Sequence, residues 1–152
     1  KVTFGFAAPS HLAVFAPAMG ATGNGVVVAG SYPPYSHTDI DGIKFALDLQ
    51  EKYRPSNKVS HIMYLHGIIE AMIQVEALRL ALKTTDVKDL TSAIVLKNGF
   101  EKITNLNTGD LTPPITFGPG KVEGVNLIRL DMAQDGEAVF LGYYSTKGIY
   151  AK

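Results

Sequence analysis

Four histidines stand at positions 11, 37, 61 and 66 of the 152-residue sequence, and they are the first residues to test for chemistry. His61 and His66 share one helical stretch, but they are five positions apart. A metal pair on a helix needs a spacing that returns to one face, and five residues diverge. Glu70 and Glu76 lie six apart in the same stretch and align poorly for paired acid–base work. His37-Thr38-Asp39-Ile40-Asp41-Gly42 resembles the opening of a calcium loop but lacks the later ligands and the terminal Glu. Helix capping by Thr38 and Asp41 is the preferred reading of that segment. Gly118-Pro119-Gly120-Lys121 lacks the remainder of a phosphate-binding loop and reads as a turn. No G-x-S-x-G element supports a serine nucleophile. There is no cysteine, which removes thiolate catalysis, cysteine-held metals and disulfides without fixing a compartment. The residues with chemical potential do not converge, so the expectation is a protein that binds rather than transforms, with no cofactor and no metal. A small α/β hydrolase remains the alternative from another class.

Composition narrows the partners. Hydrophobic residues make up 46% and charged residues 18%, a globular balance. Fourteen basic and fourteen acidic residues cancel and are scattered, which leaves no electrostatic footprint for nucleic acid. The longest apolar stretch, Ile62 to Leu82, is interrupted by His66, Glu70, Gln74, Glu76 and Arg79, and is too polar to read as a bilayer span. No signal peptide is visible.

The elements that would position these residues follow from pattern. Lys1 to Ala7 alternates as a strand, and a short helix starts at Pro9 or Ser10 and runs to about Met19. Gly20 to Gly25 is a glycine-dense loop, and Val26 to Ala29 reads as a strand buried on both faces. Strand, helix, strand makes a βαβ unit and implies a parallel α/β sheet. The two prolines of Tyr32-Pro33-Pro34-Tyr35 mark a crossing segment or hinge. An amphipathic helix is expected from Thr38 to about Tyr53, opened by the Thr38/Asp41 capping box. A second runs from about Val59 to Lys83, apolar on almost every face and therefore buried among other elements. A third, opened by Asp86, covers roughly Val87 to Lys97 and ends at Gly99. Ile115 to Gly118 is strand-like, and Asn126–Met132 and Ala138–Tyr144 form a hairpin about Asp135-Gly136.

Three segments, in this order, resemble the C-terminal half of a type 1 periplasmic solute-binding protein, the branched-chain amino-acid receptor family of ABC transporters. They are Asn24-Gly25-Val26-Val27-Val28 with Tyr32-Pro33-Pro34; Tyr64-x-x-Gly67 leading to Val75-Glu76-Ala77-Leu78; and Gly109 to Gly118 before the closing hairpin. The resemblance covers nearly the whole chain. It implies two Rossmann-like lobes with parallel sheets, hinge closure on a small-molecule ligand, delivery to an ABC permease, and a periplasmic or extracellular location. It assigns residues 1–31 to the second lobe, 32–110 mainly to helices of the first, and 111–152 to the return into the second. The family's N-terminal half has no counterpart here, so a fragment is expected, completed by that half or by a second copy of the chain. A ligand-sensing regulator or receptor domain of the same fold is the alternative.

On the same resemblance, ligand contacts fall at two places where strand ends meet the cleft. One is Ala8-Pro9-Ser10 and the adjoining His11, after the first strand. The family's amino-acid receptors carry an acid near Ser10 for the ligand ammonium. A serine hydroxyl hydrogen-bonds but cannot neutralise that charge, which favours a carboxylate, aromatic acid or amide ligand. Ser10 is equally suited to capping the next helix. The other place is the start of the long helix, Ser60-His61 to Tyr64. A helix N-terminus there favours anions, and Tyr64 offers a ring with a polar tip. Core packing for Tyr64 and a surface role for His61 are the alternatives.

Overall fold

The structure is a computed structural model that describes residues 5–7, 12–58 and 61–147, with the backbone alone at 5–7, 13 and 14. Two compact units divide it, Lys1–Thr38 with Asn126–Lys152, and Asp39–Val125.

The first unit is a sheet in the order β1-β2-β3-β4. Strand β1 is Gly5–Ala7 and β2 is Val27–Gly30, joined through helix α1, Leu12–Met19, and a 3₁₀ turn, Gly20–Gly23. β1 and β2 pair in parallel, as the βαβ reading expects. β3, Leu127–Gln134, and β4, Glu137–Ser145, then add antiparallel, so the whole sheet is mixed. Only Asp135 and Gly136 separate them, at φ 51° and 87°. Two consecutive left-handed residues make the turn whose twist matches its strands, which is why Asp-Gly appears there. Leu12, Ala16, Val28 and Ala133 form the core between α1 and the sheet. One row further along the same face, Arg129 and Asp131 are buried as an ion pair, with Arg129 Nη2 2.7 Å from Asp131 Oδ1. The Arg129 guanidinium lies 4.1 Å from the centre of the Phe140 ring.

The second unit is helical. Helix α2 spans Asp41–Tyr53 and α3 spans Ile62–Ala81. The expected capping box is not formed. The residue before α2 is Ile40, with no side-chain cap, and Asp41 instead holds Lys44 at 2.8 Å. The single helix expected after Asp86 is broken into a 3₁₀ turn (Val87–Asp89), a short helix α4 (Ser92–Ile94), a π-helical turn (Val95–Gly99) and a further 3₁₀ turn (Phe100–Lys102). Thr91 provides the cap, accepting from Ile94 N–H at 3.3 Å. Gly99 does not end that run. It lies where the chain meets α3, and a Cβ there would sit 2.3 Å from the Ala77 carbonyl oxygen. Residues 115–118 form no strand; Leu106 and Ile115 make an isolated bridge.

The units change over after Thr38 and after Val125, later than the positions 31 and 110 read from sequence. Leu111 and Ile115 are buried, and Ile115 exchanges backbone hydrogen bonds with Leu106, which ties this segment to residues of the helical unit. His37 Nε2 lies 3.2 Å from the Ala138 carbonyl oxygen, which ties the proline segment to β4. Gly42 and Gly109 are in backbone contact, with Gly42 N–H donating to Gly109 O at 2.7 Å. No helix among the described residues is long and apolar enough to cross a membrane.

The Gly99 contact makes a direct prediction. Gly99→Ala places a methyl group against backbone that cannot move aside, and overpacking of this kind costs about 1–3 kcal/mol or more. Chemical denaturation of the full-length protein should show a lower midpoint with an unchanged slope.

Candidate functional site

The described part of the expected ligand site is the first turn of α3. His61 is its N-cap, in extended backbone, and its Nδ1 accepts from Met63 N–H at 3.2 Å. The Nδ1 that accepts this bond ties the exposed imidazole to the helix backbone. Tyr64 N–H donates to the His61 carbonyl oxygen at 2.9 Å, so the two residues are held in one turn. Tyr64 is half-buried, and Leu65 behind it is fully buried. A half-buried tyrosine combines an apolar ring with a polar hydroxyl, a composition that suits a mixed polar and apolar solute. The imidazole already takes Met63 N–H, so this helix end has one donor fewer for an anion than its sequence suggests. Ala8, Pro9, Ser10, His11 and Ser60 lie outside the described residues.

The remaining titratable groups of α3 pair within the helix. His66 Nε2 lies 2.9 Å from Glu70 Oε1, and Arg79 donates to both oxygens of Glu76 at 2.6 and 2.7 Å. The two glutamates therefore have separate partners and form no acid–base couple. Hydrogen bonds from the Arg79 guanidinium hold the Glu76 carboxyl below its usual range, with a smaller coulombic contribution from the same group. Among the described residues no group of three His, Cys, Asp or Glu could hold a metal ion.

Two polar clusters were not singled out from sequence. The Arg129–Asp131 pair is one; its signal is a pair of charges at inward positions of an otherwise apolar alternating strand. The other is a reciprocal pair between Asn24 and Asp135.

Two outcomes are expected. His61→Ala removes the cap and lowers stability by about 1 kcal/mol, while His61→Asn, another good capping residue, retains most of it. Thermal unfolding of both variants checks this. Glu76 has a depressed folded pKa, so its pair stabilises the fold above the unfolded carboxyl value of about 4.3. That contribution is lost as pH falls through the folded value. Glu76→Gln should therefore unfold with a shallower loss of stability in acid, measured by denaturation at stepped pH.

No protein-family model matches the sequence, and no curated protein matches it. Solved structures do. A branched chain amino acid ABC transporter protein from Thermus thermophilus with bound valine superposes with a TM-score of 0.76 at 22% identity, over 97% of this chain and 40% of that one. A possible leucine/isoleucine/valine-binding protein from Rhodopirellula baltica SH 1 gives 0.66 at 18% identity, over 93% of this chain and 36% of that one. A fatty acid ABC transporter substrate-binding protein from Thermomonospora curvata gives 0.61 at 21% identity, over 95% and 36%. The chain thus spans about two fifths of the first of these proteins or less of the others. Identities this low establish architecture, and the chain has the α/β fold of part of a type 1 periplasmic binding protein.

Proposed function

We propose that this chain is part of the solute-binding component of an ABC transporter, working with a membrane permease in the periplasm or at the cell exterior. It captures a small polar or aromatic solute, an amino acid or an organic acid, by hinge closure of two lobes around an interlobe cleft. The observation that carries this is the fold match over almost the whole chain to structures named as transport binding proteins. The ligands in those names range from valine to fatty acid, so fold alone does not select the solute. Tyr64, His61 and the segment Ala8-Pro9-Ser10 are the proposed contacts. The absence of an acid near Ser10 favours a solute that needs no carboxylate partner for an ammonium group.

A completing segment supports the same reading. Gly67, Ala71, Val75, Leu78 and Leu82 recur every three or four residues along one side of α3, and all five are exposed. Val75 is 64% accessible and Leu78 42%. Soluble domains rarely leave such a stripe uncovered. The proposed cover is the part of the longer solved proteins that this chain does not span, with a second copy of this chain as the competing occupant.

The test is calorimetric titration of the full-length protein with valine, leucine, an aromatic carboxylic acid and a fatty acid. Saturable binding of one class is expected, with compaction in solution scattering. A Tyr64→Ala variant should bind about tenfold more weakly, which is about 1.4 kcal/mol, without a comparable loss of melting temperature. Failure of every solute to bind or compact the protein would sink the proposal. Equal affinity in the Tyr64 variant would remove Tyr64 from the site.

A further inference from the structure

Asn24 precedes Gly25 in the turn just before β2, and Asn24 is exposed. An asparagine followed by glycine is prone to a specific reaction in water, because the glycine nitrogen has no side chain to shield it. Here both reacting groups are held. Asn24 Oδ1 accepts from Asp135 N–H at 2.6 Å, and Asn24 Nδ2 donates to Asp135 Oδ1 at 2.9 Å. The Gly25 N–H, the nucleophile of the reaction, donates to the Ala133 carbonyl oxygen at 3.0 Å. Asp135 is the first residue of the hairpin turn, so the electrophile is clamped by the turn and the nucleophile by β3.

We propose that Asn24 is a modification site gated by the hairpin tip: deamidation proceeds when the tip opens, and the product prevents the tip from closing again. In the open form Gly25 nitrogen attacks Asn24 Cγ. The new N–Cγ bond forms as Gly25 gives up its proton, the Cγ–Nδ2 bond breaks, and ammonia leaves. Water then adds across one of the two imide bonds, which yields aspartate or isoaspartate at position 24. No oxidant or reductant takes part. Isoaspartate carries the main chain through the former side chain and so removes the amide from Asp135, whereas aspartate puts a carboxylate where the donating amide stood. That carboxylate would then face the Asp135 carboxylate at hydrogen-bond distance with no proton to share, and two like charges so placed repel. The closing contact is converted into an opening one. The step draws on local opening, which in folded proteins is far easier at a strand end or turn than in the core.

Mass spectrometry of the Asn24–Gly25 peptide tests this after incubation of the full-length protein in mildly alkaline buffer, native and in denaturant. The peptide with Asn98–Gly99 is followed separately. Native protein should deamidate at Asn24 at least about tenfold more slowly than denatured protein, as expected if only the open form reacts. Asp135→Gly removes the carboxylate that holds Nδ2, and glycine tolerates the left-handed φ. It should raise the native rate. Asn24→Asp should lower the melting temperature, and Asp135→Asn in that background should restore it by re-forming an amide–carboxylate pair with the roles exchanged. Equal native and denatured rates, or a native rate unaffected by Asp135→Gly, would overturn the proposal, as would an unchanged melting temperature in Asn24→Asp.

Discussion

The approach of Gly99 to Ala77 governs the helical unit. A Cβ on Gly99 would lie 2.3 Å from the Ala77 carbonyl oxygen and 2.9 Å from its carbonyl carbon, so the two backbones meet with no side chain between them. Such contact requires the smallest residues on both sides and brings α3 against the run that follows α4. The π-helical turn at Val95–Gly99 lies at this contact. With Ala77 and Ala81 buried near one end of α3, and Leu65, Ile68 and Ile69 buried near the other, the helix is fixed in rotation. The side left outward is the stripe from Gly67 to Leu82. Nothing lies within 4 Å of a Cβ built on Gly67, so this side remains open to close approach by another backbone. The first turn is fixed by the same rotation, with Leu65 inward and Tyr64 half-buried beside it.

In the sheet unit a different constraint rules. The two-residue turn sets the register of β3 against β4, and that register turns Arg129, Asp131 and Ala133 to the covered face. Ala133 fits beneath α1 with little cost. Arg129 and Asp131 are charges in a site with almost no water. They persist there because Arg129 Nε and Nη2 both donate to the carboxylate, and because the guanidinium face stacks on Phe140. Their charges cancel locally, which makes this a structural pair and a poor anion receptor. A bulge between Leu130 and Asp131 in the register with β4 shifts the outer strand by one residue. Phe140 and Tyr143 thereby come edge to face at 5.2 Å on the same side as Arg129.

The helix start that carries the proposed contacts Tyr64 and His61 was legible because it is local. The sequence places that start within three residues, because a long apolar run after a turn is a strong signal. The capping roles were not legible. Thr38 and Asp41 fit a capping pattern that Ile40 displaces, since the backbone before α2 is set by its approach to Gly109 rather than by side-chain propensity. The same reason explains the fragmented helix after Asp86. Propensity favours one continuous helix there, and contact with α3 imposes four short turns instead.

What the sequence determined by itself was therefore the α/β class, the strand–helix–strand opening, the long helix and the Asp135-Gly136 hairpin. Each rests on short-range periodicity or on a backbone angle that few residues adopt. What only the tertiary structure decided was the mixed sheet order, the division after Thr38 and Val125, the burial of Arg129 with Asp131, and the clasp of Asn24 on Asp135. These join residues far apart in the chain; Asn24 and Asp135 are separated by 111 positions. Their energies depend on burial and distance, which exist only once the chain has folded.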